Sequence, residues 1–121
     1  MTAQALKFVP FEMAHLSEIA KTHPTQEMSP TNIIYAETAL RGGRIIYSAG
    51  LSEVGPQRLI AWGRIADIRP RELLIVANRM RETIDEAKSM GNHVTAAADV
   101  SKAAWLKRLG FKSIRAVLVA T

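Results

Sequence analysis

The chain has 121 residues, 48% hydrophobic and 22% charged, with a formal net charge of +5 and no cysteine. That is the size and balance of one folded domain, and the missing thiols exclude a disulfide framework and thiolate-held zinc or iron–sulfur. No stretch approaches the roughly 18 apolar residues of a spanning helix, and no charged segment followed by a long apolar run opens the chain, so a single untargeted domain over residues 1–121 is expected.

Leu6 to Val9 is a short β-prone run closed by Pro10, which has no N–H with which to extend a ladder. From Phe11 to Thr22, Met13, Leu16, Ile19 and Ala20 recur at spacings of three and four, and this predicts a helix that stops before His23 and Pro24. Ser29 before Pro30 has the form of an N-cap with proline at the first helical position. Ile33, Ile34, Ala36 and Leu40 supply an apolar face behind it, so a second helix is expected up to Arg41, stopped by Gly42 and Gly43.

Arg44 to Ala49 and Arg58 to Ile65 are β-prone, and residues 50–57, with Gly55 and Pro56 among them, read as a hairpin loop. Apolar groups on both faces of Arg58 to Ile65 make it a central strand. Pro70 opens the longest helix, which carries Leu73, Val76, Ala77, Met80, Ile84 and Ala87 on one stripe to about Met90 and ends at Gly91 and Asn92. His93 to Ala98 is the next strand, parallel to Arg58 to Ile65 because a helix joins the two. Asp99 to Phe111 reads as a short helix with a glycine stop at Gly110, and a last β-prone run ends at Ala120. The part from Ile114 to Ala120 is expected at the end of the sheet, as an exposed edge or as a strand added to a neighbour.

This order, β-α-α-β-β-α-β-α-β, resembles the GNAT N-acetyltransferase fold over nearly the whole chain, an α/β fold with a mixed central sheet flanked by helices. The likeness is sharpest in the segment Asp99 to Phe111, DVSKAAWLKRLGF. Within that group the chain resembles the small podophage internal virion protein family, with Ser101, Trp105, Leu106, Lys107 and Gly110 standing at that family's positions.

The resemblance implies an acyl donor, acetyl-CoA, whose pyrophosphate is held by a glycine-rich turn entering the long helix. Here that turn is residues 66–72, ADIRPRE, without a glycine. If CoA binding is retained, the implied contacts are Ile65, Ala66, Asp67, Arg69, Arg71, Asp99 and Trp105. In the alternative, purely structural reading, Asp67 caps the helix, Pro70 starts it, Glu72 complements its dipole, Arg69 and Arg71 face water, Asp99 caps the short helix and Trp105 anchors the core. At the place of the family's proton-donating tyrosine stands Leu106, which has no proton to give. Tyr47 and Tyr35 are the remaining phenols, and Glu53 in the hairpin loop is the carboxylate on the acceptor side, a surface residue otherwise. His15, His23 and His93 are scattered and predict no metal site, and Ser48, Ser52 and Ser101 lack a glycine-flanked elbow.

Two functions follow. The first is a phage-encoded structural or binding module, associated with the virion or its assembly. It would have no cofactor, would partner other phage or host proteins or a second copy, and would reside in the virion or the host cytoplasm. The alternative is an active acetyl-CoA-dependent N-acyltransferase acting on an amine. Nucleic-acid contact through Arg69, Arg71, Arg79 and Arg81, or through Lys102, Lys107, Arg108, Lys112 and Arg115, is disfavoured because the basic residues are spread and few aromatics interleave them.

Overall fold

A computed structural model describes residues 5–25, 29–97, 111–114 and 117–120. The described elements are β1 (Leu6–Pro10), α1 (Met13–Ala20), β2 (Ile33–Arg41), β3 (Arg44–Gly55), β4 (Arg58–Ile65), α2 (Pro70–Ser89), β5 (His93–Ala97), β6 (Phe111–Ile114) and β7 (Val117–Ala120). They form one mixed sheet in the order β1-β2-β3-β4-β5-β7-β6. Every neighbouring pair is antiparallel except β4 and β5, which run parallel because α2 carries the chain back between them.

The helices cover opposite faces. Tyr47, Ala49, Leu51, Leu59 and Ala61 turn to α2, where Val76, Met80, Ile84 and Ala87 complete the main apolar core. Ser48, alternating with Tyr47 and Ala49, points the other way and meets Thr38 and α1 through hydroxyl groups rather than apolar contacts. The α1 face therefore combines this hydroxyl line with apolar contacts, Ile19 being buried and Phe11 standing against Trp62.

The expected helix from Ser29 to Arg41 is corrected: Ile33–Arg41 is strand β2, paired with β1 on one side and β3 on the other. Two features of the sequence favour this outcome. Ile33, Ile34, Tyr35 and Thr38 are β-branched or aromatic, and Gly42 and Gly43 take φ of 57° and 80°, the left-handed pair that closes a tight hairpin as readily as a helix end. The loop expected over residues 50–57 shrinks to a turn at Pro56 and Gln57, because β3 continues to Gly55 with a register shift between Glu53 and Gly55. The C-terminal run is likewise two strands, with β7 inside the sheet between β5 and β6 and β6 at the edge. The short helix expected after Asp99 lies outside the described residues.

Candidate functional site

The parallel ladder between β4 and β5 runs from Arg58 opposite His93 to Ala61 opposite Ala96, while the ladder between β3 and β4 continues to Tyr47 opposite Ile65. Among the described residues, Trp62, Gly63, Arg64 and Ile65 therefore pair on the β3 side only. Beyond Ala96, β5 continues its pairing with β7 at Ala97. The described ladder between β4 and β5 ends at Ala61 and Ala96, and the end of β4 past it, its open edge, borders the wedge where the described pairing stops; there the Gly63 carbonyl accepts from the Arg64 guanidinium at 2.9 Å.

Trp62 is the first residue of this open edge. Its indole stands edge-on to Phe11, with ring centroids 5.1 Å apart, and its Nε1–H is buried without a hydrogen-bond partner. A buried orphan donor costs about 1–3 kcal/mol and marks a place where an acceptor is missing. Opposite Trp62 across the ladder is Gly50, where β2 crowds β3 so closely that an added Cβ would run into the Tyr35 carbonyl oxygen.

Further along the same face, Glu12 N–H donates to His15 Nδ1 at 3.1 Å, and Thr38 Oγ1 lies 2.6 Å from that same nitrogen. With Nδ1 accepting, its proton sits on Nε2, 3.4 Å from the Glu12 carboxylate, and the Thr38 hydroxyl donates to His15 while accepting from Ser48 at 2.7 Å. The chain Ser48–Thr38–His15 thus pins α1 to the middle of the sheet. The three histidines looked scattered in sequence, and only pairing of β2 with β3 brings His15 to this line.

The turn from the open edge into α2 is held from within. Ala66 N–H donates to the Ile46 carbonyl at 2.9 Å, Asp67 N–H to His23 Nε2 at 3.3 Å, and Arg69 N–H to Glu72 Oε1 at 2.9 Å. Pro70 has no N–H. Glu72 also receives the Arg41 guanidinium at 2.5 Å, with both side chains buried, and the Asp67 carboxylate pairs with Arg44 at 3.1 Å. A helix N-terminus attracts anions because its first N–H groups are free and its dipole is positive there. In α2 that position is taken by the chain's own carboxylate. Arg69 and Arg71 are exposed, as expected, but Glu72 is buried, and Asp67, with φ of 24°, pairs with two arginines instead of capping.

Of the residues singled out from sequence, Ile65, Ala66, Asp67, Arg69 and Arg71 form one continuous stretch from the wedge to α2. Glu53 lies elsewhere, exposed within β3 rather than in a loop, and opposite Leu59 at the other end of β4. Tyr47 is 2% exposed in the core beside Ile65, and burial, reinforced by Glu37 and Tyr35, pushes its phenol far above the usual range, so it keeps its proton. Tyr35 is half-exposed and linked to Thr83 and Glu37. Asp99, Trp105 and Leu106 lie outside the described residues. No group of three metal-ligating side chains occurs among the described residues, and no helix there is long and apolar enough to cross a membrane.

No family profile matches the sequence, and no curated protein does. Solved structures do. The chain aligns with the ribosomal-protein alanine N-acetyltransferase of Escherichia coli at a TM-score of 0.68 and 13% identity, covering 96% of this chain and 93% of that one. Ard1 from Thermoplasma volcanium aligns at 0.66 and 11% identity over 97% and 99% of the two chains. A GNAT acetyltransferase from Brucella melitensis, solved with acetyl-CoA, aligns at 0.64 and 12% identity over 98% and 88%. The fold is that of the GNAT acetyltransferases. At these identities the likeness speaks for the GNAT fold alone, and the podophage resemblance has no counterpart among these GNAT neighbours.

CoA fits the GNAT frame of this chain unevenly. An amide-rich pantetheine arm would meet strand backbone at the end of β4, whereas the Trp62 Nε1–H beside it is buried, its ring against Phe11. The pyrophosphate finds fewer backbone donors than a glycine-rich turn would give, since the N–H groups of Ala66, Asp67 and Arg69 are engaged and Pro70 has none.

Proposed function

We propose that this chain is an N-acyltransferase that moves an acyl group from a pantetheine thioester to a primary amine. The observation that supports it best is the GNAT fold itself, in which the described ladder between β4 and β5 ends at Ala61. An extended, amide-bearing arm laid against Trp62–Ile65 would gain the hydrogen bonds of an added strand and bring its thioester into the wedge. The amine nitrogen then attacks the thioester carbonyl. The C–N bond forms, the C–S bond breaks, and the leaving thiolate takes up the proton that the amine loses.

Holding the two reactants in line supplies most of what such a reaction needs, which is why a leucine at the position of the family's acid leaves the chemistry open. Trp62, its ring packed on Phe11 and its buried N–H without an acceptor among the described residues, would position the strand end that the arm lies against. The supporting neighbours include an enzyme that acts on a ribosomal-protein alanine, so peptide N-termini belong in the first panel of acceptors.

The test is thiol release with acetyl-CoA and acetyl-pantetheine against amines and short peptides, with the acylated product followed by mass spectrometry. Turnover is expected, and Trp62→Phe, which puts a smaller ring against Phe11 and removes the N–H, is expected to lower kcat/KM by roughly tenfold. Absence of thiol release from every donor would sink the reading. A binding module without turnover is the second reading, favoured by the Glu72 carboxylate at the start of α2; it requires donor binding without acyl transfer.

A further inference from the structure

The acyl donor's recognition end is where this chain departs from what its fold implies. Resting on the acyltransferase reading, we infer that the donor is not free acyl-CoA but an acyl group on the phosphopantetheine arm of an acidic carrier protein, docked on the first turns of α2.

At the start of α2 the N–H groups of Ala66, Asp67 and Arg69 already have acceptors and Pro70 has none, so few backbone donors are left for a diphosphate. CoA brings a diphosphate and a ribose phosphate to that place, whereas a carrier-bound arm ends in one phosphodiester. One phosphodiester can be met by a side-chain cation without a glycine-rich turn.

The surface beside the turn is built for a protein rather than a nucleotide. Leu74 is 58% exposed and Ile75 is 43% exposed. Arg71 precedes them by three and four residues, and Arg81 follows on the same side of the helix, so cations flank an apolar centre. From Ile68 to Arg81 no acidic side chain is exposed, the carboxylate of Glu72 being buried. The chain's net charge is +5. An apolar patch with Arg71 before it and Arg81 after it, the first exposed carboxylate being Glu82 at the far end, complements an acidic helical surface, and the opposite charges also speed encounter.

The placement suits an arm that must reach inward. Ile65 ends the open edge and Arg69 caps α2, four residues on, which is at most roughly 14 Å of chain. A carrier seated on Arg71, Leu74 and Ile75 would therefore stand at the mouth of the wedge. Transfer itself is unchanged: the amine takes the acyl group, and the carrier keeps its arm as the free thiol.

The experiment compares three donors with one acetyl group each: a bacterial acyl carrier protein loaded on its arm, acetyl-CoA and acetyl-pantetheine. The carrier is expected to exceed acetyl-CoA in kcat/KM by at least roughly tenfold, equivalent to about 1.4 kcal/mol. Leu74→Glu with Ile75→Glu, both exposed and so compatible with folding, is expected to cut the ratio of carrier to acetyl-pantetheine turnover by roughly tenfold. A second readout is independent of turnover: adding unloaded carrier to isotope-labelled protein is expected to shift amide resonances from Arg69 to Arg81.

Equal or better turnover with acetyl-CoA overturns the inference and leaves the acyltransferase reading standing. Carrier-induced shifts on α2 with no turnover from any donor keep the docking surface and remove the activity. Shifts that appear on concentrating the protein alone, with none on adding carrier, overturn the inference in favour of self-association.

Discussion

Glu72 turns its carboxylate back onto the Arg69 N–H and onto Arg41, with the Arg41 and Glu72 side chains 7% and 8% exposed. Such a pair gains little over an apolar replacement, yet losing one partner strands a buried charge. Glu72→Ala leaves Arg41 with Asp67 alone, its carboxylate 3.7 Å away, and is expected to cost about 3 kcal/mol in urea unfolding, with the double replacement Arg41→Met and Glu72→Met recovering part of it. A single variant as stable as the parent would show that the pair is solvated. Tyr47 gives a second test. Its phenol has a folded pKa above the ordinary 10.0, chiefly through burial. Below the unfolded value both states hold the proton and stability is flat; above it the unfolded chain ionises first and stability falls as pH climbs. Tyr35 is shifted the same way. Denaturation midpoints between about pH 8 and about pH 11 should show this fall, and Tyr47→Phe should flatten most of it.

Between elements, Arg79 ties α2 to the β1–β2 edge. Its guanidinium meets Glu37 through two bonds of 2.6 Å and lies 3.9 Å from the centre of the Phe8 ring. The arginine is 44% exposed, so solvent screens the pair, and Arg79→Ala is expected to cost about 1 kcal/mol. A double-mutant cycle with Glu37→Gln would separate the pair from the ring contact. The β2–β3 pairing depends more steeply on Gly50, where an added Cβ would strike the Tyr35 backbone. Gly50→Ala is expected to lose at least about 2 kcal/mol and to loosen amide protection along β2. That same pairing explains the misreading of Ile33–Arg41. Its apolar spacing suits a helix, but strands on both sides offer a full set of backbone partners, and the glycine pair at residues 42 and 43 serves a hairpin as well as a helix end.

In the whole molecule, the described ladder between the parallel strands β4 and β5 runs only as far as Ala61 and Ala96. Hydrogen exchange should be slow through β3 and the first half of β4 and faster at the β5-facing amides of Trp62–Ile65. A bound acyl donor is expected to slow that stretch selectively; protection spread evenly over the sheet would argue for general stabilisation instead. β4, α2, β5 and their parallel arrangement were legible in the sequence, because their signals are local: alternation, a stripe at helical spacing, proline at the start and glycine at the end. The stretch Ile65 to Arg71 was legible as a candidate site for the same reason, being contiguous. Arg41 and Glu72 are 31 residues apart and His15 and Thr38 are 23 apart, so nothing local announced either contact.

The sequence by itself determined a mixed α/β fold, its long helix, the parallel crossover and the absence of glycine from the turn into α2, all of which follow from residue type and short-range period. Only the tertiary structure decided that Ile33–Arg41 is a strand, that His15 meets Thr38 across the sheet, and that the Glu72 carboxylate holds the Arg69 N–H and Arg41 at the start of α2. Those outcomes depend on which backbone and side-chain groups meet across the sheet, and a buried polar group takes its partner from the folded surroundings rather than from its neighbours in the chain.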